Sequence, residues 1–132
     1  MELLGAEPIA TPNFGFPVQW LALGDTQLHL FQKEVEPLSH HHLGISVDDV
    51  EPVYRAAERH DALEREAFGN HLVELPGDLV QLYLRDPAGN LVEIDHVGVD
   101  RLPEELRAQL VRLQDTNPQD DENMSGRLFV PE

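Results

Sequence analysis

The segment Arg85-Asp86-Pro87-Ala88-Gly89-Asn90-Leu91 joins two stretches of alternating residues through a tight turn, and no other junction in the chain constrains the fold as strongly. Proline fixes φ, the aspartate side chain can bond backbone N–H groups two residues on, and Gly89-Asn90 can take positive φ. The next strand must therefore begin near Leu91. Side chains alternate along it, so Val92 and Ile94 share one face while Leu91, Glu93 and Asp95 share the other. Before the turn, Val80, Leu82 and Leu84 alternate with Leu79, Gln81, Tyr83 and Arg85, which predicts an antiparallel partner over Leu79 to Arg85. One face of this pair carries a carboxylate, Glu93, among polar and aromatic neighbours.

Upstream, Pro17 to Leu23 alternates, Gly24-Asp25 supplies a turn, and Thr26 to Gln32 alternates again, which reads as a hairpin with His29 on the face of Gln27 and Phe31. Leu3 to Ile9 reads as a short edge strand. His40-His41-His42 leads into a strand ending at Val47, with His42, Gly44 and Ser46 on one face; His40 shares that face and His41 does not. Asp48 or Asp49 is expected to cap a helix running to about Arg59, with Val50, Val53, Tyr54 and Ala57 as its stripe and Pro52 tolerated in the first turn. A further strand is expected over Leu63 to Phe68. After Pro103, Glu104 to Gln114 reads as one short helix with Leu106, Leu110 and Leu113 on a stripe, followed by an acidic tail.

Composition narrows the function classes. The 132 residues, 41% of them hydrophobic, suffice for one domain with a real core and are too few for two ordinary ones. With no cysteine, any metal must take nitrogen and oxygen ligands, which favours a divalent Fe, Mn, Ni, Co or Zn ion. The net charge of −16 repels phosphate backbones and anionic lipid, so nucleic-acid and membrane partners are not expected. The N-terminus lacks a basic region followed by an apolar segment, so a cytoplasmic protein is expected. No nucleophile elbow, phosphate loop or dinucleotide fingerprint occurs.

Two segments, His42-Leu43-Gly44-Ile45-Ser46-Val47-Asp48-Asp49 and Asp86-Pro87-Ala88-Gly89-Asn90-Leu91-Val92-Glu93-Ile94, resemble the vicinal oxygen chelate superfamily of glyoxalases, extradiol dioxygenases and bleomycin-resistance proteins. Trp20 to Phe31 is similar to the end of that family's first module. The resemblance covers about residues 1 to 97 and implies an α+β fold of paired βαβββ modules forming a cupped mixed sheet. A shortened first module would occupy residues 1–36 and a full second module residues 40–97, with residues 98–132 forming the helix and tail. The family's leading strand and helix precede the point where this sequence starts. By the resemblance, either this chain lacks the further ligand that unit supplies or it is a shortened version of a longer product; both expose a sheet edge, so a homodimer or a swapped assembly that covers it is expected.

By position the resemblance implies His42 and Glu93 as second-module metal ligands and His29 as a first-module ligand, with Tyr83, Gln81 and Trp20 lining the cup against a small-molecule substrate. The function implied is a metal-dependent enzyme on an oxygen-chelating substrate, by lyase, isomerase or dioxygenase chemistry, in which Glu93 also moves a proton. Two alternatives stand beside it: a metal-free small-molecule binding protein of the bleomycin-resistance type, and an inactive truncated member. A histidine run is also an ordinary polar strand start, and Glu93 an ordinary residue on a half-solvated strand. His60, His71 and His96 have no spacing that argues for a role, and His96 shares the face of Ile94.

Overall fold

A computed structural model describes residues 4–37 and 39–126, which form an α+β protein in two compact units, one ending at Glu36 and the other beginning at Pro37. Leu3 of the expected first strand and residues 127–132 of the expected tail lie outside the described residues.

In the first unit, β1 (Glu7–Ile9), β2 (Val18–Leu23) and β3 (Thr26–Phe31) form an antiparallel sheet in the order β1-β2-β3. Gly24, at φ 58°, closes the β2–β3 turn, where a side chain would be strained, and the hairpin register pairs Trp20 with His29. Leu21 is its buried apolar residue, while Phe14, Phe16 and Phe31 form an exposed aromatic group.

The second unit holds β4 (His42–Ser46), α1 (Glu51–Arg59), β5 (Leu72–Leu75), β6 (Leu79–Arg85) and β7 (Leu91–Val97). The C-terminal part adds α2 (Glu104–Arg107), β8 (Val111–Arg112), α3 (Leu113–Thr116) and α4 (Asp121–Met124). The sheet order is β4-β7-β6-β5-β8, with β4 parallel to β7, so the first and last strands of the module lie side by side. That juxtaposition needs a crossover, which α1 and the β5–β6 hairpin supply. Val50, Val53, Tyr54 and Ala57 of the helical stripe are buried, as are Val80, Leu82, Leu84 and Ile94 on one sheet face. A helix stripe and a sheet face buried in one unit of this size cover each other. The opposite face packs Val73, Tyr83 and Leu91 with Ala67, Leu75 and Leu113. Among the described residues no helix is long and apolar enough to cross a membrane.

Three sequence expectations shift, each for a local reason. The strand expected over Leu63 to Phe68 reduces to one bridge from Leu63 to Leu84, and the strand forms instead at Leu72–Leu75. Glu64 turns the chain by accepting from the N–H groups of Glu66, at 2.6 Å, and Ala67, at 3.2 Å. The helix expected over Glu104 to Gln114 breaks after Arg107, because Gln109 is drawn to Tyr54, His71 and Asn70 and Val111 joins the edge of β5. At the start of α1, Asp49 is not the helix boundary itself but accepts from the Glu51 N–H at 3.0 Å.

The Asp86 turn forms as its sequence dictates: Asp86 Oδ1 accepts from the N–H groups of Ala88 and Asn90 at 2.9 and 2.7 Å. Gly89 sits at φ 86°, and a Cβ there would stand 3.0 Å from Cγ of Pro37. Gly89→Ala is expected to destabilise by about 1–2 kcal/mol through left-handed strain. Urea unfolding should show a lower midpoint with an unchanged slope; an unchanged midpoint would contradict the assigned turn.

Candidate functional site

The parallel register sets Gly44 of β4 opposite Glu93 of β7, and the antiparallel register sets Tyr83 of β6 on the other side of Glu93. One step along, Ser46, Asp95 and Gln81 form the next row. All six side-chain positions therefore share one sheet face. His42, at the head of β4, lies diagonally from Glu93 and brings its Nε2 to 3.3 Å from Glu93 Oε2.

His42 is oriented from behind. Its Nδ1 lies 2.7 Å from the carbonyl oxygen of His40, which can only accept, so Nδ1 carries the proton and Nε2 is left toward Glu93. Glu93 and Asp95 are 7% and 6% exposed, a degree of burial that carboxylates rarely tolerate without a positive partner. Burial first, and the Asp95 charge second, hold the Glu93 carboxyl above its ordinary range, with Tyr83 and His42 opposing. Asp95 is likewise pushed up by burial, against hydrogen bonds from Gln81 and Glu93. The Tyr83 hydroxyl is pushed far up, first by burial and then by Glu93, so it stays protonated and donates to Gln81 Oε1 at 2.7 Å. Gln81 Nε2 in turn donates to Asp95 Oδ1 at 3.2 Å. A pair of buried carboxylates held this way is short of positive charge: it must share a proton or take a cation.

Two features frame the pair. Gly44 has no side chain, and a Cβ there would lie 3.6 Å from Glu93 Oε1 and 3.7 Å from Asp95 Oδ2, in ordinary contact, so the glycine backbone sits directly against both carboxylates. Phe68 stacks on Tyr83 with ring centroids 4.4 Å apart and meets His42 and His40 edge-on at 5.8 and 5.6 Å. The loop that carries Phe68 is tied to the strand by Glu64, whose Oε2 accepts from Arg85 Nε.

The structure thus brings His42, Glu93, Tyr83 and Gln81 together. His40 lies beside Phe68, with Nδ1 2.9 Å from the Ser39 hydroxyl. His29 is exposed in the first unit, stacked on Trp20 at 4.1 Å and 7° and within 3.3 Å of Gln27 Oε1. Trp20 Nε1 is buried with no hydrogen-bond partner among the described residues. His96 is buried on the Ile94 face, away from Glu93. Sequence reasoning missed Asp95 and Phe68. The alternation that puts Asp95 on the face of Glu93 was a usable signal for the first; Phe68 sits in a segment whose strand-like pattern concealed a loop.

Among solved structures, the chain is similar to a putative glyoxalase family protein from Bacillus anthracis, with a TM-score of 0.56 and 18% identity over 73% of this chain and 76% of that one. It is also similar to a lactoylglutathione lyase from Agrobacterium tumefaciens, with a TM-score of 0.54 and 20% identity over 76% of this chain and 82% of that one. This chain has the glyoxalase fold. The sequence matches no protein-family model and no curated protein, so the likeness is one of shape. In glyoxalase-fold terms, the parallel β4–β7 pair is the contact between first and last module strands, and it carries His42 and Glu93 side by side.

A metal ion suits this pair in chemistry and spacing. Two donors each about 2.1 Å from one ion stand roughly 3.0 to 3.4 Å apart at right or tetrahedral angles, a range that includes the 3.3 Å between Nε2 and Oε2. The backbone carbonyl on Nδ1 is the kind of outer partner that ligating histidines use. No group of three or more His, Asp or Glu side chains able to hold an ion is gathered among the described residues. His42 and Glu93 are two donors placed within reach of one ion.

Proposed function

We propose that this chain is a metal-dependent enzyme acting on a small substrate that presents two neighbouring oxygens, with His42 and Glu93 as two of the ligands. The observation that carries the reading is the close approach of an oriented His42 Nε2 to a buried Glu93 carboxylate that lacks a full positive partner. A bound divalent ion would supply Lewis acidity, polarising a carbonyl or stabilising an enolate at an open position. Glu93, held up in pKa by burial, is suited to take or return a proton at the substrate carbon. Tyr83 and Asp95 bond to Glu93 and are themselves linked through Gln81, and the Phe68 ring limits water on that side. The chain would work as a homodimer, with donors beyond this pair and the substrate's own oxygens completing the set.

One observation favours a second reading. Because the described residues gather no three-donor group, the same site can serve a metal-free binding protein that captures a small molecule, and the acidic balance suits a cationic one.

Elemental analysis of untagged protein separates the two. Near-stoichiometric Fe, Mn, Ni, Co or Zn in the parent chain, reduced at least tenfold in His42→Ala and in Glu93→Ala, is expected for the enzyme, and His29→Ala reads that residue's own contribution. No retained or titratable metal in any form would sink the ligand assignment, and thermal stabilisation by small cationic ligands would then support the second reading.

A further inference from the structure

Behind the Phe68 loop lies a histidine that the proposed chemistry does not use. His71 is 3% exposed, and both of its ring nitrogens have neighbours. Nε2 is 3.1 Å from Gln109 Oε1, an oxygen that only accepts and that also receives the Tyr54 hydroxyl at 3.0 Å. His71 therefore carries its proton on Nε2. Nδ1 faces the guanidinium of Arg65, with Nη1 at 3.4 Å, and a guanidinium only donates. In the closed arrangement Nδ1 must be the acceptor, and the ring must be neutral. A second proton would go on Nδ1, where it would replace an accepted hydrogen bond with two N–H groups and two positive charges pointing at each other.

The groups around the ring are few. Arg65 comes from its own loop, Tyr54 from α1 lies against the ring at 5.9 Å, Glu58 of α1 is the acid whose charge acts on it, and Gln109 approaches from the segment after α2. Burial first and Arg65 second disfavour the charged ring; Gln109 and Glu58 oppose them, and the outcome lies below the ordinary histidine value.

Arg65 stands three residues before Phe68, and His71 three residues after it. The segment between them is held at one end by Glu64 N–H on the Tyr83 carbonyl and at the other by Tyr83 N–H on the His71 carbonyl, each at 2.9 Å. Its C-terminal end is also tied by Asn70 Nδ2, which donates to the carbonyls of Leu72 and Gln109. The Arg65–His71 contact closes the loop across its base while Phe68 rests on Tyr83.

We propose that the Arg65–His71 contact is a proton-operated latch: protonation of His71 expels Arg65, loosens residues 64–70 and lifts Phe68 from Tyr83 and His42. Because the closed loop disfavours the proton, its stability is complete above the ordinary histidine value of about 6.5 and is lost as pH falls through the depressed value of the closed state. Mild acid therefore uncovers Tyr83 and His42.

Hydrogen exchange of the whole chain, corrected for the intrinsic pH dependence of exchange, tests this without any metal or substrate. Peptides covering 64–70 are expected to gain at least threefold in exchange between pH 7.5 and 5.5, while those covering β6 and β7 do not change. Arg65→Met, at an exposed position, should shrink that step because no cation faces the ring, leaving only the part due to burial, and His71→Gln should abolish it. An unchanged loop in the parent chain, or an undiminished step in Arg65→Met, overturns the latch. Metal content leaves this result untouched, so failure here is separate from failure of the ligand assignment.

Discussion

Glu64→Ala is expected to destabilise the protein by about 2–4 kcal/mol at pH 7 and by progressively less as pH falls below about 4.5. The carboxylate is 11% exposed as a side chain and serves three donors at once: Arg85 Nε, the Glu66 N–H and the Ala67 N–H. Arg85, first, and then the Glu66 N–H hold the acid below its ordinary value. A carboxylate whose folded pKa is depressed contributes stability that is fully present above the unfolded value, near 4.5, and is lost as pH falls through the folded value. The gap between parent and variant should therefore close in acid, and chemical denaturation at several pH values reads it directly. A gap that stays constant with pH would show that the carboxylate is not ionised by Arg85 in the fold. Arg85 also donates to the carbonyls of Gly89 at 3.0 Å and Ser39 at 3.3 Å, so the pair joins the Phe68 loop to the turn that launches β7.

Ile94→Ala is expected to cost about 3–4 kcal/mol. Ile94 is fully buried in the centre of β7, between Ile45 of β4 and Leu82 of β6. Truncation removes apolar contacts and leaves a space that a strand flanked on both sides cannot collapse into. Calorimetry should show a large fall in Tm, and a change within 1 kcal/mol, at the tolerant end of core substitutions, would contradict the assignment of this face as the core. Its neighbours along the strand, Glu93 and Asp95, point to the opposite face, so the variant also asks whether the carboxylate pair survives loss of the support beneath it.

The sequence made some elements legible and hid others for physical reasons. β6 was readable to the residue, because strict alternation from Leu79 to Arg85 ends at Asp-Pro, and β7 because it begins where Gly89-Asn90 release the turn. The pairing of His42 with Glu93 came from resemblance: nothing local in either segment says that residues so far apart in sequence become neighbours through a parallel ladder. β5 was hidden because Leu72 to Leu75 is a short run beside Pro76-Gly77, whereas Leu63 to Phe68 looks equally extended until Glu64 folds back on its own backbone. The stripe of Leu106, Leu110 and Leu113 was real as a pattern, yet Gln109 breaks the helix by bonding to groups contributed from elsewhere in the fold. His71 had no spacing to recommend it, since its partners Arg65 and Gln109 come from separate parts of the chain.

The parallel ladder between β4 and β7 has a kinetic consequence. The β6–β7 hairpin can close through a short turn, but His42 and Glu93 are separated by the helix and two strands that must be in place before β4 finds its slot. Long loops gain their contacts last, because the entropy of closure is spent before the ladder repays it. The approach of His42 to Glu93 is thus expected to form late in folding, and a partly unfolded chain would carry the histidine run and the carboxylates without bringing them together.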